Sequence, residues 1–162
     1  MFDIYTVAFI GHRYIDNISL IEKKIEELVR NIISDKSYVE FLVGNDGEFD
    51  QIVSSTVLRV KRKNFCADSS LIWIMPYETA KYRNNEKNFK NYYDEIELCD
   101  ESASAYFKNA IMIRNRYMVD RADILVCYVE QKKGGAYQTM KYAKSIGKNI
   151  INIYDEIEKD KS

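Results

Sequence analysis

Three segments of the chain combine glycine with charged or hydroxyl side chains in ways that suit contact with a phosphate or a sugar. In Gly11-His12-Arg13, the glycine allows a sharp turn and a close approach of backbone amides to a ligand. His12 and Arg13 then add donors, and arginine's planar fork matches phosphate or carboxylate. The competing reading is a turn glycine followed by two exposed polar residues. Gly134-Gly135 stands where a helix opens, so free N–H groups there favour an anion, and Thr139 adds a hydroxyl. A plain loop explains the same glycine pair. Gly44-Asn45-Asp46-Gly47-Glu48-Phe49-Asp50 supplies backbone freedom and three acids. Asp50 or Glu48 could hold ribose hydroxyls or work as acid or base, whereas Asp46 or Asp50 could simply cap a helix. Arg114 and Arg116 read, on their own, as surface ion-pairing residues. Trp73, Tyr92, Tyr93 and Tyr106 could stack on a base, though in a chain of this kind aromatics mostly build the core.

These residues need elements to position them, and the hydrophobic pattern supplies a set. Ile4–Ile10 is a nearly continuous apolar run, as in a strand covered on both faces. Helical spacing follows over Ile18, Ile21, Ile25, Leu28, Val29 and Ile32, opened by a Ser19/Glu22 capping box or by Asp16. Val39–Val43 is the second strand, and Ile52–Val60 a second helical face ending in Lys61-Arg62-Lys63. Leu71–Met75 is the third strand, stopped by Pro76. Residues 78–99 read as a polar, irregular insertion. A helix over about 101–121 carries Tyr106, Phe107, Ile111 and Met118, and strands at Ile124–Val129 and Ile150–Ile153 flank a helix from Gly134 to Ile146. Alternating strands and helices give an α/β class: one Rossmann-like domain over 1–162, a mainly parallel five-stranded sheet in order 3-2-1-4-5, with helices on both faces. In such a sheet ligands bind beyond the carboxyl ends of the strands where the order reverses, here between Gly11–Arg13 and the 130–135 loop.

The bulk numbers bound the function. A chain of 162 residues with 46% hydrophobic and 30% charged residues fits one globular domain. No apolar run approaches the ~18 residues of a membrane span, and no signal-peptide pattern opens the chain, so a cytoplasmic protein without a membrane partner is expected. With 24 basic and 25 acidic side chains there is no general pull towards nucleic acid, which is disfavoured as a partner. Lys61–Lys63 and the 81–90 segment read as solvated surface. Cys66, Cys99 and Cys127 are too widely spaced for a metal motif and read as buried free thiols; no metal or cofactor is expected. His12 is the single histidine. The abundance of Lys, Asn, Ile and Tyr hints at AT-rich coding DNA, hence a low-GC bacterium or its phage.

Taken together, the segments resemble the SLOG superfamily of Rossmann-like domains, named for the Smf/DprA and LOG proteins. Phe9-Ile10-Gly11-His12-Arg13 looks like the start of the YpsA-related branch. The Gly44…Asp50 loop is similar to that branch's Gly-Phe-Asp segment, with Glu48 inserted between Gly47 and Phe49. Arg114–Asp120 and Gly134-Gly135-Ala136 complete the resemblance. LOG enzymes are phosphoribohydrolases, and Arg114, Met118 and Asp123 reproduce their Arg, Met and Asp spacing. That implies a phosphate or ribose contact for Arg114. The loop departs from the LOG pattern, because Lys133 replaces its proline and Lys141 or Tyr142 falls where its catalytic glutamate belongs. A carboxylate would have to come from Asp50, Glu48 or Glu130.

The expected function is therefore binding, whether sensing or sequestering, of a nucleotide-derived small molecule such as an ADP-ribose-like compound or a nucleotide messenger. The alternative is an N-glycosidase acting on a nucleoside monophosphate or related nucleotide. Relatives commonly dimerise, and the tyrosine-rich helix from Glu101 offers a surface for a homodimer.

Overall fold

The computed structural model describes residues 3–64 and 68–162. Cys66, expected to be a buried thiol, lies outside them; Cys99 and Cys127 are buried and unpaired. Six parallel strands form one sheet in the order β4-β3-β2-β1-β5-β6. They are β1 (Ile4–Gly11), β2 (Tyr38–Val43), β3 (Ser69–Met75), β4 (Glu95–Leu98), β5 (Ile124–Tyr128) and β6 (Asn149–Asn152). The long helices are α1 (Ile18–Asp35), α2 (Glu48–Asn64), α6 (Phe107–Arg121), α7 (Gly135–Ser145) and α8 (Ile153–Asp160). Three short ones, α3 (Ala80–Asn84), α4 (Glu86–Tyr92) and α5 (Asp100–Ala103), flank β4.

The apolar runs explain the layering. Successive strand residues point to opposite faces, so a strand covered on both sides is apolar throughout. Val7 and Phe9 of β1 pack with Ile21, Ile25 and Val29 of α1 and Val53 and Val57 of α2. Ala8 and Ile10 pack on the other face with Met118 and Val119 of α6 and Met140 and Ala143 of α7. β1 lies at the centre, paired with β2 on one side and β5 on the other. The order of connection reverses at β1, which opens the ligand crevice of such sheets at its carboxyl end.

Four expectations about elements are corrected. The sheet has six strands, not five, because β4 adds an edge strand inside the segment read as irregular. Its four residues alternate Glu-Ile-Glu-Leu and are half-exposed, too short and too charged to register as an apolar run. The rest of that segment is ordered by aromatic packing on β3: Trp73 lies 5.0 Å from Phe89, 5.3 Å from Tyr93 and 5.9 Å from Tyr82, ring centre to ring centre. The expected 101–121 helix is two helices. Ser102 donates its hydroxyl to the Pro76 carbonyl at 2.6 Å, pinning α5, and Tyr106 is extended, so α6 starts afresh at Phe107. The capping box does not form: α1 begins at Ile18 after Asn17, which has φ 56° and gives no side-chain cap. Finally, Ile153 leaves the last strand and opens α8, capped by Asn152, whose side chain accepts from the Tyr154 amide at 3.2 Å.

Candidate functional site

At the carboxyl ends of β1, β2 and β5 lies a cleft of about 610 Å³. Gly11, His12 and Arg13 form one wall, Gly44, Asp46, Gly47 and Asp50 a second, and Gly134 and Gly135 a third, with Arg114 from α6 at the floor. Of the candidate residues, these ten come together although they span most of the chain. Glu48 and Thr139 do not line the cleft.

The glycines of two loops are there for packing. A Cβ on Gly11 would stand 2.3 Å from the Phe49 ring, and one on Gly47 would stand 2.5 Å from the Arg13 Cα. Phe49 is fully buried and stacks on Tyr128 at 6.3 Å. The first and second walls are thus pressed together backbone against side chain. Glu48 locks this contact: its amide donates to the Arg13 carbonyl at 2.8 Å, and its carboxylate accepts from the Ile15 amide at 2.8 Å. Glu48 shapes the 12–15 turn rather than facing the cleft. At the third wall the glycines are open. Gly134 has φ 91°, a left-handed conformation that side chains rarely adopt, and a Cβ on Gly134 or Gly135 would meet nothing within 4 Å.

His12 was expected to donate into the cleft, and the structure gives its Nε2 another role. Nε2 accepts from the amides of Glu130 and Gln131 at 3.0 and 3.2 Å, tying the first wall to the loop after β5. Burial holds its pKa below the usual 6.5, opposed by the nearby Glu130 carboxylate. The imidazole is therefore neutral at pH 7, with its proton on Nδ1.

Arg114 was read as a phosphate or ribose contact, and most of its guanidinium is committed to the protein. The residue is 2% exposed. It donates from Nη1 to the Ile74 carbonyl at 2.8 Å, from Nε to the Asn115 side chain at 3.0 Å, and from Nη2 in an ion pair with Asp46. Asn115 continues the chain of contacts, donating to the Thr139 hydroxyl at 3.3 Å, which donates to the Gly135 carbonyl at 2.8 Å. Thr139 is fully buried, so it props the start of α7 from behind instead of reaching a ligand. One buried polar network thereby joins the acidic loop to the amide end of α7. Neither of the other residues in the Arg, Met and Asp spacing is at the cleft. Met118 is core, and Asp123 accepts from the Thr6 amide at 2.8 Å, at the far end of the strands.

Asp50 is the most perturbed acid in the cleft. Burial pushes its pKa up to about 6, against hydrogen bonds from the Asp46 and Gly47 amides and the Arg114 charge; the Asp46 carboxylate raises it further. A carboxyl whose pKa is higher folded than unfolded binds its proton more tightly when folded. Stability then falls as pH rises from the unfolded value of 3.8 towards about 6, and the loss is complete above that. Asp50→Asn is expected to be more stable than the native chain by about 2–3 kcal/mol at pH 8 and to lose that advantage at pH 4. Urea denaturation at the two pH values measures it. An advantage of equal size at both would exclude the carboxyl as its source.

Sequence reasoning missed Tyr14, Ile111 and Asn115, which also line the cleft beside Gln131 and Lys133 of the expected 130–135 loop. Ile111 lies one turn before Arg114 on the same helix face, a spacing that could have flagged it. The aromatics considered for base stacking are elsewhere. Trp73 and Tyr93 are in the core with Tyr82 and Phe89, whereas Tyr14, 84% exposed, stands at the cleft itself. Arg116 lies on the surface, 5.0 Å over the Tyr142 ring. Tyr142, one of the two residues set against the LOG glutamate, donates to Asp120, away from the cleft. Among the described residues no group of three or more His, Cys, Asp or Glu side chains could hold a metal ion. None of their helices is long and apolar enough to cross a membrane.

Comparison with known proteins completes the description. No curated protein matches the chain. The X-ray structure of DNA processing protein A from Streptococcus pneumoniae shares the fold with a TM-score of 0.65 at 14% identity, over 91% of this chain and 49% of that one. This chain thus spans about half the length of that protein. DNA processing protein A from Helicobacter pylori, solved for its single-stranded DNA binding mode, gives a TM-score of 0.62 at 14% identity, over 96% of this chain and 72% of that one. The second finding corrects the expectation that nucleic acid is disfavoured. That protein binds single-stranded DNA, and the near-neutral charge of a whole chain does not decide the matter, because binding depends on local charge and stacking surfaces. The YspA SLOG family matches residues 12–156, a span that takes in the cleft from His12 to Gly135, and the chain belongs to that family.

Proposed function

We propose that the cleft binds a nucleotide-derived small molecule, of which ADP-ribose-like compounds and nucleotide messengers are the leading classes. Membership of a SLOG family points towards nucleotide-related function, and one observation carries the finer reading. The uncapped amide end of α7 and the carboxylates of Asp46 and Asp50 line the same cleft. The first N–H groups of a helix have no partner within it and attract phosphate; carboxylates accept from ribose hydroxyls. Arg13 and Lys133 add positive charge to the cleft, and Arg13 makes no ion pair among the described residues.

Gly135→Asp tests this without disturbing the fold, because a side chain there enters open space. Calorimetric titration with ADP-ribose and a panel of mono- and dinucleotides is expected to show binding to the native chain. In Gly135→Asp the affinity should fall by at least about tenfold, because a carboxylate then faces the ligand's phosphate. The unfolding temperature should be unchanged or slightly raised, since an acid at a helix N-terminus is favourable. No binding by any member of the panel, or full affinity in the variant, would overturn the assignment.

A second reading, N-glycosidic bond hydrolysis, draws on Asp50, whose raised pKa suits a general base near neutral pH. Base release from nucleoside monophosphates, followed by chromatography, would appear in the native chain and vanish in Asp50→Asn.

A further inference from the structure

The third wall of the cleft is fastened differently from the other two. Its loop, residues 130–133, is exposed throughout and runs between two firm anchors. At one end the Asn152 side chain clasps Val129, accepting from its amide and donating to its carbonyl, both at 3.0 Å. At the other, the Gln138 amide donates to the Gly134 carbonyl at 3.0 Å, and the Thr139 hydroxyl donates to the Gly135 carbonyl at 2.8 Å. Between these anchors the loop's hydrogen bonds, among the described residues, end on a single atom. The amides of Glu130 and Gln131 both donate to Nε2 of His12, at 3.0 and 3.2 Å. A Cβ on Gly134 would meet nothing within 4 Å, so no neighbour packs against the backbone there as a second restraint.

An imidazole nitrogen accepts only while it carries no proton. Neutral His12, with its proton on Nδ1, serves both amides. Charged His12 would set a third donor against them, and both bonds would be lost together because they share the acceptor. We propose that residues 130–133 form a gate on the cleft, held shut by the neutral imidazole of His12 and released when that imidazole takes up a proton. Gln131 and Lys133 line the cleft, so release takes the third wall away. The proposal concerns the wall itself and needs no assumption about what the cleft holds.

The charges around the ring set the direction. His12 is half-buried, and burial keeps its proton affinity below the ordinary value of 6.5 while the gate is shut. The Glu130 carboxylate, on the loop, opposes this in part. Of the other charges on the two segments, Arg13, Lys132 and Lys133 disfavour a charged imidazole and Asp16 favours one. From β5, the Tyr128 ring meets His12 edge-on at 6.2 Å; its phenol, which Asp16, Tyr154 and Glu158 also act on, is pushed up to about 12 and stays neutral. An open gate restores His12 to water and to its ordinary affinity. A proton is then bound more tightly open than shut, so the open population grows as pH falls below about 6.5, by at most about tenfold per pH unit.

The test follows hydrogen exchange of single amides by NMR in the full chain, with each rate divided by its intrinsic value at that pH. Protection of the Glu130 and Gln131 amides is expected to fall about tenfold between pH 7.5 and pH 5, while the Val129 amide, held by Asn152, keeps its protection. In His12→Gln a carbonyl oxygen that does not titrate takes the place of Nε2, and protection should be the same at both pH values. In His12→Phe, with no acceptor, it should be low at both; should that variant not fold, the native chain and His12→Gln decide the matter. Unchanged protection of the two amides in the native chain would overturn the gate. So would an equal loss at Val129, which would mean general loosening in acid, or an acid-dependent loss in His12→Gln equal to that of the native chain. No ligand is added, so the gate and the proposed function can each fail alone.

Discussion

Replacing Arg114 by alanine is expected to cost the fold about 3–5 kcal/mol, the penalty for removing one partner of a buried charged network. The guanidinium is nearly inaccessible and serves three acceptors on three elements: the Ile74 carbonyl of β3, the Asn115 side chain of α6 and the Asp46 carboxylate of the β2–α2 loop. Alanine leaves a backbone carbonyl and an amide without partners and a cavity where the stem was. Arg114→Lys should recover only part of the loss, because a single ammonium cannot point in the three directions of the planar fork. Asp46→Asn should cost much less, since the Asp46 side chain is 29% exposed and water can replace what is lost. Urea denaturation of the three variants gives the ranking. A loss below about 1 kcal/mol for Arg114→Ala would mean that the network is not buried as described.

Gly47→Ala is the second large effect. Its Cβ would lie 2.5 Å from the Cα of Arg13, and a backbone atom cannot step aside as the end of a side chain can. The 12–15 turn would be driven off the start of α2, straining the Glu48 amide's bond to Arg13 and the Ile15 bond to the Glu48 carboxylate. A cost of about 2–3 kcal/mol is expected, in the range of overpacking in a tight core. Ligand affinity should fall with it, because Arg13 and Tyr14 are carried on the displaced turn. Gly135→Ala is the control: a Cβ there meets nothing, and the change should be neutral or slightly stabilising. Thermal unfolding of the pair decides it. Equal behaviour of the two glycine variants would contradict the packing between the walls.

Much of the architecture could be read from residue patterns. Strands such as Val7–Ile10 and Leu125–Tyr128 are covered on both faces, so each residue in turn must be apolar or aromatic, and the run is visible without any partner. β4 was invisible for the converse reason: an edge strand of four residues exposed on its flanks has no need of a hydrophobic run. The break before α6 was equally hidden, because the Ser102 hydroxyl finds its partner at Pro76, 26 residues away.

The same division runs through the cleft. Composition and spacing alone placed Gly11–Arg13, Gly44–Asp50 and Gly134–Gly135 on strand-to-helix loops, because glycine and turn chemistry act locally and a parallel sheet gathers such loops at one end. What each polar side chain does there was settled by contacts between residues as distant as His12 and Glu130, 118 positions apart, or Asp46 and Arg114, 68 apart. Only the folded chain shows that Arg114 braces the acidic loop and that Glu48 holds the 12–15 turn. Only it shows Thr139 behind α7 and Asp50 desolvated to a pKa of about 6. Hydrogen-bond partners and burial are properties of neighbours in space, and the order of residues along a chain determines them only through the fold.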